Sequence, residues 1–143
     1  MDRMQPINVT SATLSLTKEA HSGTVITVNR AAGSTLTLPA SAGDGSIFEI
    51  FVGTTITSNA LIVQVANSSD IMSGVAWQAA DGGSTSNAWE TGASDDTITM
   101  DGSTKGGIKG DRIILKDVSA NVWAVSIFGA ASGTEASPFS AAV

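Results

Sequence analysis

His21 is the only histidine in the chain, and it stands at an expected turn just before Gly23. One histidine cannot build a His-based metal cluster, and any Ser-His-Asp arrangement would have to be assembled around it. It reads as a surface turn residue. The chain has no cysteine, which removes thiolate nucleophiles, disulfide frameworks and sulfur-ligated metals. Asp95 and Asp96 are adjacent, so a strand would point them to opposite faces and a loop would leave them hydrated. Neither placement suits paired acid–base work. The run DGSTKGGIKGD at 101–111 has the glycines and lysines of a phosphate cradle. It lacks the G-x-x-x-x-G-K-S/T order and lies between expected strands, without a following helix whose N-terminus would face an anion. Asp81, Asp95, Asp96 and Asp101 are candidate oxygen ligands for a hard cation, but their spacing is not that of a calcium loop. No cofactor and no metal are expected, and the chain reads as a non-enzyme.

The elements that would position these residues are strands. The chain has 12 Ile, 11 Val and 16 Thr against 6 Leu, with 15 Gly interrupting the runs, a composition that favours sheet over long helix. The clearest stretch is 22–52, SGTVITVNRAAGSTLTLPASAGDGSIFEIFV. It contains the β-branched run 24–28, the alternating run 35–38 stopped by Pro39, and, after Gly43-Asp44-Gly45, the apolar run 47–51. Further strands are expected at 13–16, 60–65, 71–75, with Gly74 as a bulge or bend, 97–100, 112–115 and 122–128. The segment 112–128, RIILKD-VSAN-VWAVSIF, predicts an antiparallel hairpin. The expected fold is all-β, a β-sandwich or jelly-roll-like barrel of about eight to nine short antiparallel strands with essentially no helix.

The expected organisation is an N-terminal lead-in arm at 1–12, one domain at 13–130 with a long loop at 77–97, and a C-terminal tail at 131–143. The loop holds Trp89 and begins at Trp77. Those indoles either plug the open ends of the sandwich or stand in a protein interface, where tryptophan is enriched. In the tail, Pro138 and Phe139 form an anchor candidate for a neighbouring subunit within a segment otherwise expected to fray. Trp77, Trp89, Pro138 and Phe139 are therefore the candidate interface residues.

The net charge of −6 arises from 13 acidic and 7 basic residues, and the basic ones are scattered, which speaks against nucleic acid as a partner. The densest basic group, Lys105, Lys109, Arg112 and Lys116, is interleaved with Asp101, Asp111 and Asp117 and predicts a solvated mixed-charge face. No apolar run approaches the roughly 18 residues of a membrane span, and the opening MDRMQPINVT lacks a signal-peptide core. The expectation is a soluble chain made in the cytoplasm, with no membrane partner.

The segment SGTVITVNRAAGSTLTLPASAGDGSIFEIFVG resembles a pattern in tailed-phage virion proteins: a Gly-Thr-hydrophobic strand, a Thr-Leu-Pro strand end, then Gly-X-X-Phe. GDRIILKDVSANVWAVSIFG is similar to the closing hairpin of the same proteins. Together these cover about a third of the chain. The resemblance implies a small β-sandwich that decorates and cements a bacteriophage capsid on its outer surface, commonly as a homotrimer bridging subunits of the major capsid protein. It also extends to head and tail fibre modules, so a receptor- or carbohydrate-binding module, with Trp77 or Trp89 stacking on a sugar ring, stands as the alternative.

Overall fold

The computed structural model describes residues 5–143, so the first four positions of the expected lead-in arm lie outside the described residues. Among the described residues twelve strands are formed: β1 (Ile7–Val9), β2 (Thr13–Ser15), β3 (Val25–Val28), β4 (Thr35–Thr37), β5 (Ile47–Val52), β6 (Leu61–Gln64), β7 (Ile71–Ala80), β8 (Thr85–Glu90), β9 (Thr97–Met100), β10 (Arg112–Ser119), β11 (Val122–Ala131) and β12 (Phe139–Ser140). One four-residue helix, α1 (Lys18–His21), lies between β2 and β3, with Thr17 as its N-cap. The strands form a seven-stranded sheet, β1-β3-β5-β10-β11-β7-β8, and a five-stranded sheet, β12-β9-β6-β4-β2. The all-β expectation holds, but the sheets are mixed and do not close into a barrel.

The first six strands alternate between sheets, odd-numbered ones in the larger and even-numbered ones in the smaller. Each strand therefore pairs with the strand two before it, and those pairs are parallel: β1 with β3, β3 with β5, β2 with β4, and β4 with β6. Three winding coils result, where sequence alternation alone suggested neighbouring antiparallel strands. Gly33 allows the coils to stack closely. Its φ is +80°, and a Cβ there would lie 2.2 Å from the carbonyl oxygen of Ala60, which excludes any other residue on steric grounds.

The second half adds antiparallel partners. β10 pairs antiparallel with both β5 and β11, so the expected 112–128 hairpin forms, turning at Asn121 with φ +65°. β11 then runs parallel to β7 for ten residue pairs. At Gly74, a Cβ would lie 1.8 Å from the carbonyl oxygen of Val125, so glycine there lets the two strands approach. The expected long loop at 77–97 is instead mostly strand, comprising the end of β7, the Asp81–Gly83 turn and β8. Its pattern hid this because β8 contributes one large apolar side chain, Trp89, to the core face.

The core lies between the sheets. Alternating residues of β3, β5, β10 and β11 face inward as Ile26, Val28, Phe48, Ile50, Val52, Ile113, Leu115, Trp123, Val125 and Ile127. They meet Leu36, Leu61, Val63, Ile98 and Met100 from the smaller sheet. Trp123 is fully buried and packs edge-on against Phe48 at 5.6 Å. Burial of each large aliphatic or aromatic group contributes about 1.5–3 kcal/mol, which compensates for short strands and glycine-rich turns.

Candidate functional site

Carboxylates hold the chain together. Asp117 is fully buried and accepts hydrogen bonds from the backbone N–H of Ala42 and Gly43 and from the Ser41 hydroxyl, each at 2.8 Å. Lys18 Nζ reaches it at 3.0 Å and reaches the exposed Asp44 at 2.7 Å. Burial pushes Asp117 up, but the Ala42, Ser41, Gly43 and Lys18 hydrogen bonds outweigh that and hold it below the ordinary carboxylate value. The hydrogen bond from Lys18 holds Asp44 far below that value, and the same bond raises Lys18. Together these contacts latch the β4–β5 crossover to β10.

Asp111 is likewise buried and accepts from the N–H groups of Gly107, Ile108 and Ala130. Burial outweighs those bonds and raises its pKa. The expected mixed-charge face is therefore corrected. Asp111 and Asp117 point inward to satisfy backbone donors, because both fall on the core-facing parity of β10 or at its entry, while Arg112 and Lys116 point out.

The possible cation ligands are similarly occupied. Asp81 accepts from Gly133 N–H and Asp95 from Gly92 N–H. Asp101 accepts from Ser103, Lys105 and the Thr104 hydroxyl. Asp96, expected to be hydrated, is 5% exposed and accepts from the Thr97 hydroxyl and from Ala142 and Val143 N–H. Among the described residues, no group of three or more His, Asp or Glu side chains is placed to hold a metal ion. His21 Nδ1 accepts the Thr17 N–H at 2.9 Å and belongs to the short helix. No described helix is long and apolar enough to cross a membrane.

The tail residues face their own chain. Pro138 and Phe139 are buried, β12 pairs antiparallel with β9, and Asp96 captures the last two amides. The fraying expected for this tail is replaced by docking. The two indoles in question separate. Trp89 lies on the inner face opposite Ala76 and packs against the core, whereas Trp77 lies on the outer face and is 55% exposed.

Trp77 belongs to a row that crosses the larger sheet. Thr27 lies opposite Phe51, Phe51 opposite Arg112, Arg112 opposite Phe128, Phe128 opposite Trp77, and Trp77 opposite Ala88. Residues directly opposite share a face, so six strands present these side chains together. Phe128 is 49% exposed, and the Arg112 guanidinium lies 5.9 Å from its ring centroid, a cation–π arrangement. Val75, next along β7, is also exposed. Beside the row, Trp77, Phe128, Ser84, Thr85 and Ser86 line an open depression of about 400 Å³. Sequence reasoning missed Phe51, Arg112 and Phe128. Strand parity carries the signal, since Trp123, Val125 and Ile127 take the core side of β11 and leave Phe128 outside.

No protein-family model, curated protein or solved structure matches this chain.

Proposed function

We propose that the protein is a non-catalytic structural module that adheres to another protein through the outer face of its seven-stranded sheet. In the setting implied by the sequence resemblance, it decorates the outer surface of a bacteriophage capsid and bridges subunits of the major capsid protein. The carrying observation is the solvent-facing Phe51–Arg112–Phe128–Trp77 row on a sheet whose opposite face is a continuous core. Trp and Arg are among the residue types that dominate binding energy at protein interfaces, and Phe is enriched in them. A backbone held in place by ladders on both sides loses little freedom on docking. Cryo-electron microscopy of the virion tests this reading: density for the protein with Trp77 and Phe128 against a capsid subunit supports it. Absence of the chain from purified capsids refutes it.

A second reading is favoured by the hydroxyl groups beside Trp77. An exposed indole next to Ser84, Thr85 and Ser86 suits a sugar ring, which stacks its apolar face and hydrogen-bonds at its edge. A glycan array with a Trp77→Ala control separates the two. Tryptophan-dependent binding supports the carbohydrate reading, and uniform lack of binding removes it.

A further inference from the structure

The two sheets have four edges among the described residues, and three of them are blunted. β1 and β2 are three residues long, while β12 is two residues long and follows Pro138. Short strands and proline are common ways to stop an edge from pairing with another chain. β8 is different. It spans six residues, TSNAWE, with no lysine and no proline, and among the described residues it pairs only with β7. Its sole charge is Glu90 at one end. Trp89 packs against the core, so the strand is held firmly while its far side presents unpaired backbone N–H and C=O groups.

We propose that β8 is the self-association edge of this protein, pairing antiparallel with β8 of a second copy about a two-fold axis through Ala88. The two seven-stranded sheets then form one continuous sheet. The register follows from the faces. A two-fold axis normal to the sheet keeps inner face with inner face only if each residue meets one of the same parity. Centring on Ala88 places Ser86 opposite Glu90 of the other copy and Asn87 opposite Trp89. A serine hydroxyl thus meets each carboxylate. The two Glu90 residues stand four residues apart along the ladder, about 13 Å at strand rise, beyond the roughly 8 Å screening length at physiological salt.

Ala88 also lies opposite Trp77. Two small alanines at the axis therefore join the aromatic rows of the two copies into one. A second copy suits this edge because the strand is nearly neutral and Ser86 and Ala88, the outward residues around the axis, are small, which permits close self-pairing while Glu90 meets a serine rather than a like charge. One ladder of this length makes a modest interface, so the dimer is weak and concentration-dependent. The pairing does not depend on a virion setting.

Sedimentation velocity over a concentration series reads the association. The mass of the wild-type chain is expected to rise from 14.4 kDa toward twice that value. Ala88→Lys, at an exposed position, is expected to remain at the monomer mass with an unchanged melting temperature. Because the chain has no cysteine, Ala88→Cys provides a second readout. Under mild oxidation it is expected to give a disulfide-linked dimer far faster than Val118→Cys, an exposed control on β10. A wild-type monomer at every concentration overturns the proposal, as does a trimeric mass, since this pairing closes at two. Equal association of Ala88→Lys, or equal cross-linking of the two cysteine variants, also overturns it.

Discussion

Replacing Asp117 by alanine tests whether the buried carboxylate latch is a main support of the crossover between sheets. Four donors converge on Asp117: two amides, the Ser41 hydroxyl and Lys18 Nζ. Hydrogen bonds to a charged group contribute about 1.5–3 kcal/mol each, so a simple sum is several kcal/mol too large. The 41–43 donors lie on an accessible loop and regain water once the carboxylate is gone. Removing the carboxylate also relieves its own desolvation. The expected net loss is about 3 kcal/mol, or roughly 10 °C in melting temperature for a chain of this size. Urea unfolding followed by tryptophan fluorescence, which reports the exposure of the buried Trp123, measures it. Lys18→Met is expected to cost under about 1 kcal/mol because its ammonium is partly solvated. Asp117→Asn is expected to resemble alanine, since the amide turns a donor toward donors. An Asp117→Ala loss below about 1 kcal/mol, or a larger loss for Lys18→Met, refutes this account of the latch.

Gly33→Ala forces a Cβ to within 2.2 Å of the Ala60 carbonyl oxygen at φ +80°; it is expected to destabilise by more than about 3 kcal/mol, as measured by thermal unfolding. Trp77→Ala and Phe128→Ala, at exposed positions, are expected to leave the unfolding free energy within about 0.5 kcal/mol of wild type while abolishing partner binding in a pull-down. Asp96, Asp101 and Asp117 are held below the ordinary value of 3.8, so the stability they provide is full above that pH and is lost as pH falls through their lower folded values. Asp111 is raised and carries the opposite sign, since its ionisation as pH rises above 3.8 opposes folding. Accordingly, Asp117→Asn should flatten acid destabilisation and Asp111→Asn should steepen it, read from unfolding midpoints across an acidic pH series.

The strands with a strict two-residue period were legible, including the 112–128 hairpin, because alternation reports a half-buried strand directly. β1, β8 and β12 were not, since each is short or places few large apolar groups inward. They exist because a neighbour supplies the ladder. The candidate site was half legible. Trp77 stood out by residue type, whereas Phe51, Arg112 and Phe128 share a face with it only through register between strands distant in sequence. By residue type Pro138 and Phe139 are anchors for a neighbour, but Asp96 and β9 hold the tail on its own chain.

The amino-acid sequence by itself determined an all-β chain, most of its strands and the side chains available for adhesion, because these depend on local periodicity and residue chemistry. Only the tertiary structure decided that the first six strands wind alternately between two sheets, that the aspartates turn inward to bind backbone amides, and that four outward residues align into one row. Those outcomes depend on which strands lie side by side. Pairing is set by contacts between residues far apart in the chain, which no local pattern records.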